Sequence, residues 1–182
     1  MVMNISKNIT KFQKLAIYFF IYAFLGWIGE EIYCIIATHE FVNRGFLFGP
    51  ICPIYGYGAL ILILCFGNYK KKPVKLFLLS AVVFSVFEYI TDFFLQALFA
   101  TRWWDYTGYF LNINGRITLS FSILWGFASL IIIKIVHPFV TKVVGKILVK
   151  IPFKLQHIIV DSLLIILVLD TLISSIMYLE IF

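Results

Sequence analysis

The chain predicts an all-α, polytopic membrane bundle, and three observations carry that reading. Hydrophobic residues make up 62% of its 182 positions and charged ones only 13%. The apolar residues gather into five runs: Lys14–Ala37, Ile54–Phe66, Leu76–Phe99, Leu119–Val136 and Ile158–Ile181. The lysines cluster before or between particular runs and are missing elsewhere.

A hydrocarbon core about 30 Å thick needs about 20 apolar residues per helical crossing, fewer where a glycine-rich loop shares the span. Each run is interrupted by an acid or crowded by glycine, and carboxylates at that depth usually face the protein interior. With five spans drawn, one transmembrane domain fills residues 1–182. The first run, carrying Glu30 and Glu31 where a small-residue cleavage site would stand, reads as a retained helix rather than a signal peptide.

The +6 net charge is a topology signal rather than a nucleic-acid footprint. Lys7, Lys11 and Lys14 precede the first run. Lys70, Lys71, Lys72 and Lys75 separate the second from the third, and Lys134, Lys142, Lys146, Lys150 and Lys154 lie at or between the fourth and fifth. Only Arg44, Arg102 and Arg116 fall on the other side. This asymmetry predicts a cytoplasmic N-terminus and an extracellular C-terminus in a multi-pass cell-membrane protein. Cys34, Cys52 and Cys65 show no ligand spacing and read as small buried hydrophobes.

An internal repeat organises the first four runs. Shifting the chain by 70 residues lays Gly45–Ile61 over Gly115–Ile131 without a gap, with Tyr55-Gly56-Tyr57-Gly58 on Trp125-Gly126-Phe127-Ala128. Upstream of each copy stands an acid-bearing span, with Glu30 in the first and Glu88 in the third. Two parallel two-helix units follow, over about 14–67 and 76–137, with a pseudo-twofold axis along the membrane normal. A basic interfacial helix at 138–154 and a last span at 158–181 complete the chain. In the first copy Gly49-Pro50-Ile51-Cys52-Pro53 breaks the run, because proline removes donors and restricts its predecessor; a short re-entrant loop fits there.

At 1.5 Å per residue Glu30 lies about 24 Å above the inner face, Glu88 about 18 Å, and Asp170 about 20 Å into the last span. Asp92 sits one turn above Glu88 on the same face. The outer loops bring the three arginines to that level, where a guanidinium fork can grip carboxylates or phosphates. Neighbouring acids there cannot both ionise cheaply, so one holds a proton or takes a cation. The group reads either as a functional site or as ion pairs locking the helices. Trp103 and Trp104, flanked by Arg102 and Asp105, read either as interface anchors or as lining of an outer site. Lys142, Lys146, Lys150 and Lys154 recur every four residues, a basic face suited to anionic lipid headgroups or to a cytoplasmic partner.

Several strings resemble a known family: Phe24-Leu25-Gly26-Trp27 with Glu30, Phe41-Val42-Asn43-Arg44-Gly45-Phe46-Leu47, Gly49 to Gly56, Glu88-Tyr89-Ile90-Thr91, Thr101 to Tyr106, Leu124-Trp125-Gly126 and His137-Pro138. Over nearly the whole chain they resemble the bacterial ABC-transporter type IV permeases, CmpB-like small multi-span membrane proteins. The matching positions include Glu30, Arg44, Glu88, Arg102, Trp103, Trp104, Asp105 and Arg116, while Glu31 stands where the pattern has an apolar residue. The resemblance implies a transport component.

No G-x-x-x-x-G-K-[ST] loop is present, so ATP hydrolysis would fall to a separate cytoplasmic subunit. No cofactor or metal is expected, since H-E-x-x-H and other ligand spacings are missing. The leading expectation is a permease-like component, as a homodimer or with a separate cytoplasmic ATPase subunit, with an outward-facing acidic site. Its candidate solute-binding residues are Glu30, Arg44, Glu88, Asp92, Arg102, Trp103, Trp104, Asp105, Arg116 and Asp170. The alternatives are a non-catalytic assembly factor or scaffold, and a membrane-embedded enzyme acting on a lipid-linked envelope substrate with paired carboxylates as acid and base.

Overall fold

The computed structural model describes residues 10–41 and 45–180. Six α-helices follow in order: α1 (Lys11–Thr38), α2 (Pro53–Ile61), α3 (Pro73–Phe99), α4 (Leu119–Ile131), α5 (His137–Leu148) and α6 (Phe153–Glu180). A two-stranded hairpin, β1 (Asn112–Ile113) with β2 (Ile117–Thr118), sits in the connection from α3 to α4.

Local sequence explains the ends. Thr10 caps α1 by accepting from the Gln13 N–H at 3.2 Å, and Gln13 returns its Oε1 to the Thr10 N–H at 3.3 Å, a capping box. His39 closes the same helix in the left-handed region, as Ala100 closes α3. Pro73 opens α3, where its missing N–H costs nothing.

Four helical stretches among the described residues are long and apolar enough to cross a bilayer: Lys11–Thr38, Pro73–Phe99, Leu119–Leu148 and Phe153–Leu179. The second apolar run is shorter, nine residues of α2 followed by five of π-helix (Leu62–Phe66) and a 3₁₀ turn (Gly67–Lys71). The Gly49–Pro53 interruption accounts for this, since Ile51 and Cys52 are non-helical and α2 begins only at Pro53.

The fourth run differs from expectation in the other direction. Its helix does not stop at Pro138 but continues through a π-helical turn (Ile132–Val136) into α5. Proline at 138 cannot donate to the carbonyl four residues back, and the wider π register just before it accommodates the defect. The basic stripe is therefore split. Lys142 and Lys146 lie exposed on α5, opposite buried Val140, Val144 and Leu148, whereas Lys154 falls in the first turn of α6.

Contacts group the chain into two compact units, Met1–Leu60 with Phe139–Ile176, and Ile61–Pro138 with Met177–Phe182. In the first, Ala16, Tyr18, Phe19, Tyr22 and Ala23 of α1 are buried, and Tyr18 Oη donates to Thr141 Oγ1 at 3.3 Å. In the second, Leu62, Phe66, Leu76, Phe84 and Ile133 form the core. Large apolar side chains otherwise point outward, Ile36 and Val82 among them at 71% and 64% exposure, as suits surfaces that lipid tails cover.

Candidate functional site

Within the second unit, α3 carries a polar stripe on one face. Ser85, Glu88, Asp92 and Gln96 follow at helical spacing, and the first three are buried. Helix α4 answers with Ser122 and Trp125. Ser85 Oγ meets Ser122 Oγ at 2.5 Å, and Trp125 Nε1 donates to Glu88 Oε2 at 3.0 Å. Interhelical bonds of this kind are the usual glue where no hydrophobic force draws helices together.

The loop between α3 and α4 supplies the remaining partners. Tyr106 Oη donates to Glu88 Oε1 at 2.9 Å, and the Tyr106 ring stacks on Phe121 at 4.6 Å. Asp92, with no exposed surface, receives Arg116 Nη1 on Oδ2, and Arg102 Nη2 lies 3.4 Å from the same oxygen. Arg116 also donates to Gln96 Oε1 and lies over the Tyr89 and Phe93 rings at 5.6 and 5.5 Å. Asp92 Oδ1 and Arg102 Nε are buried without a hydrogen-bond partner among the described residues.

Turn chemistry aims the two arginines. Asn114 and Gly115 both take positive φ at the hairpin tip, a conformation that asparagine and glycine tolerate best. A Cβ on Gly115 would stand 2.5 Å from Asp105 Oδ1, so the loop closes only with glycine there. The Asn114 carbonyl then accepts from Arg102 Nη2 at 3.1 Å, and the Arg116 carbonyl accepts from Trp104 Nε1 at 3.0 Å. Asp105 is exposed; hydrogen bonds from the Thr107 side chain and backbone, and the nearby Arg102 charge, hold its carboxyl below the usual aspartate range. Trp103 makes ring contacts with Phe99 and with Tyr178, the latter at 5.2 Å.

The first unit carries Glu30, Glu31 and Asp170. Tyr55 Oη donates to Glu30 Oε1. Asp170 on α6 accepts the backbone N–H groups of Phe48 and Gly49 at 3.0 and 2.8 Å, with Ser174 Oγ at 3.2 Å. This carboxylate satisfies donors that the proline-broken segment cannot bond within itself. Glu31 is buried at 4% exposure. Cys34 and Cys52 are buried as expected, but Cys65 is exposed on the π-helical turn.

Of the ten residues singled out from sequence, Asp92, Arg102, Asp105 and Arg116 form one contiguous set. Trp104 fastens to that set through the Arg116 backbone. Glu88 has its own donors, and within the first unit Glu30 and Asp170 bond to different groups. Arg44 lies outside the described residues. Sequence reasoning missed the neutral donors Tyr55, Tyr106 and Trp125, although the 70-residue alignment had already laid Tyr55 over Trp125. Among the described residues no cluster of histidine, cysteine and acids could hold a metal ion.

No curated protein and no solved structure matches the chain. A sequence model of one family does match, over residues 17–175, and four helices of the described residues are long and apolar enough to cross a bilayer. With most of its length covered, the chain belongs to the family described as "Putative ABC-transporter type IV".

Proposed function

We propose that the chain is the membrane-spanning, permease-like component of a transporter, with an outward-facing polar site for a small solute or cation centred on Glu88 and Asp92. The observation that carries this reading is Asp92, wholly buried on a bilayer-length helix, with one oxygen held by two guanidinium groups and Oδ1 without a partner among the described residues. An unfilled acceptor at membrane depth costs several kcal/mol unless something with a donor visits it. Arg102 and Arg116 restrain the acid, Glu88 one turn away adds a second carboxyl group, and Trp104 and Asp105 hold the loop that carries the arginines. Within the first unit, Tyr55 holds Glu30 and Asp170 secures the Phe48–Gly49 segment.

The N-terminus and the lysine clusters lie on the cytoplasmic side in this reading. Lys142, Lys146, Lys150 and Lys154 rest on anionic lipid headgroups, and ATP hydrolysis belongs to a separate subunit. A second reading, a non-catalytic scaffold, is favoured by one fact: donors of the same chain already engage Glu88 and Asp92.

Comparing metabolites of deletion and wild-type cells separates the two. Transport predicts that one small-molecule class accumulates on one side of the membrane in the deletion strain. A scaffold predicts an unchanged small-molecule profile together with loss of a protein partner from the membrane.

A further inference from the structure

Two independent offsets relate the halves of the chain, and side-chain contacts follow both. Phe77 and Glu88 on α3 lie 58 positions after Phe19 and Glu30 on α1. Trp125, Gly126 and Phe127 on α4 lie 70 positions after Tyr55, Gly56 and Tyr57 on α2.

In the first pair of helices Phe19 meets Tyr57 with ring centroids 4.9 Å apart and planes at 61°, and a Cβ on Gly56 would fall 2.6 Å from the Phe19 ring. In the second pair Phe77 meets Phe127 at 4.9 Å and 67°, and a Cβ on Gly126 would fall 2.6 Å from the Phe77 ring. The acids obey the same offsets: Tyr55 donates to Glu30, and Trp125 donates to Glu88. Five residues beyond each glycine–aromatic pair the α-helix widens into a π turn, Leu62–Phe66 in one copy and Ile132–Val136 in the other, again 70 apart. Such turns are rare and gather at functional sites.

The residues of the ion cluster differ between the copies. Cys34 stands at the position of Asp92 and Phe46 at that of Arg116. What the halves share is the aromatic donor on the carboxylate, the close-packed glycine and the π turn.

We propose that Tyr55 and Trp125 are equivalent positioning residues, one in each repeat, and that Glu30 and Glu88 are two copies of one carboxylate motif, each complete within its own unit. The inference rests on the transport reading for what the motif binds, but the equivalence can be tested without a solute. Each donor fixes the rotamer of its acid from the facing helix, so the acid is presented the same way in both repeats. The two donors differ in kind, a phenol and an indole, yet each offers one hydrogen to one carboxylate oxygen.

The test is difference infrared spectroscopy of the full chain in lipid bilayers, with thermal unfolding beside it. Glu30→Gln and Glu88→Gln each remove one carboxyl band and so assign it. The inference expects Tyr55→Phe to shift the Glu30 band and Trp125→Phe to shift the Glu88 band in the same direction, with Trp125→Tyr restoring the latter. It also expects Tyr55→Phe combined with Glu30→Gln to lower the melting temperature no further than the worse single variant, whereas Tyr55→Phe with Glu88→Gln adds. Unshifted bands, or additive losses when Tyr55→Phe is combined with Glu30→Gln, overturn the equivalence while leaving the transport reading intact. A deletion strain with an unchanged metabolite profile removes the transport reading while the spectroscopic result still decides the equivalence.

Discussion

Replacing Arg116 by glutamine is the sharpest stability test of the Asp92 cluster. The side chain of Asp92 has no exposed surface, Arg116 is 13% exposed, and Arg102 is 23% exposed at 3.4 Å from the shared oxygen. Arg116 is therefore the main counter-charge. Breaking a buried pair by removing one partner costs about 3–5 kcal/mol, because the remaining charge stays buried. Arg102 still stands nearby, which places the expected loss at the lower end, about 3 kcal/mol. For a chain of this size that is a fall in melting temperature of roughly 6–12 °C. Glutamine keeps much of the stem that packs beside Tyr89 and Phe93, so the loss reports charge more than volume.

Thermal unfolding of the protein in lipid nanodiscs, followed by tryptophan emission, reads it, since Trp104 is bonded to the Arg116 backbone. Adding Asp92→Asn to Arg116→Gln removes the stranded charge and should recover about 1–3 kcal/mol of coupling. An Arg116→Gln protein that melts within about 2 °C of wild type would refute the reasoning, because Asp92 would then have to be solvated.

Further outcomes follow from the same contacts. Gly56→Ala puts a Cβ 2.9 Å from the Phe19 carbonyl oxygen and 2.6 Å from its ring, so it should cost about 1–3 kcal/mol in the same unfolding assay, whereas Gly29→Ala meets nothing within 4 Å and is the control. Asp170→Ala strands two backbone N–H groups at Phe48 and Gly49; a loss of about 1–3 kcal/mol and faster proteolysis between α1 and α2 are expected. Asp105 has a folded carboxyl lowered by Thr107 and Arg102, so its contribution to the loop is present above the ordinary aspartate value and is lost as pH falls through the lower folded value. Acid titration of tryptophan emission should show that step, and Asp105→Asn should abolish it.

The bundle was legible in the sequence because bilayer thickness imposes length and composition on every crossing. Helices α1, α3 and α6 appear where long proline-free apolar runs stand, although α6 starts at Phe153, before the run becomes strongly apolar. The short second element was legible through Pro50 and Pro53. At Pro138 the helix runs on where proline normally ends one, because a π turn just before it absorbs the missing donor. At the site, opposite charges were enough to bring Asp92, Arg102 and Arg116 to one level. The donors on Glu30 and Glu88 were not legible as donors, because tyrosine and tryptophan in membrane helices read equally well as apolar bulk. The partners of Asp170 are backbone groups, which carry no mark in a sequence. Glu31 shows the limit of pattern matching, since an acid in an apolar position was set aside and is in fact buried.

Glu88→Gln, expressed at matched levels beside wild type, puts the central claim to its most direct test when membrane abundance and the small-molecule profile are measured in the same cells. A working carboxylate predicts normal abundance with the profile of the deletion strain. Loss of the protein from the membrane in step with any change of profile, or full abundance with a wild-type profile, would contradict it.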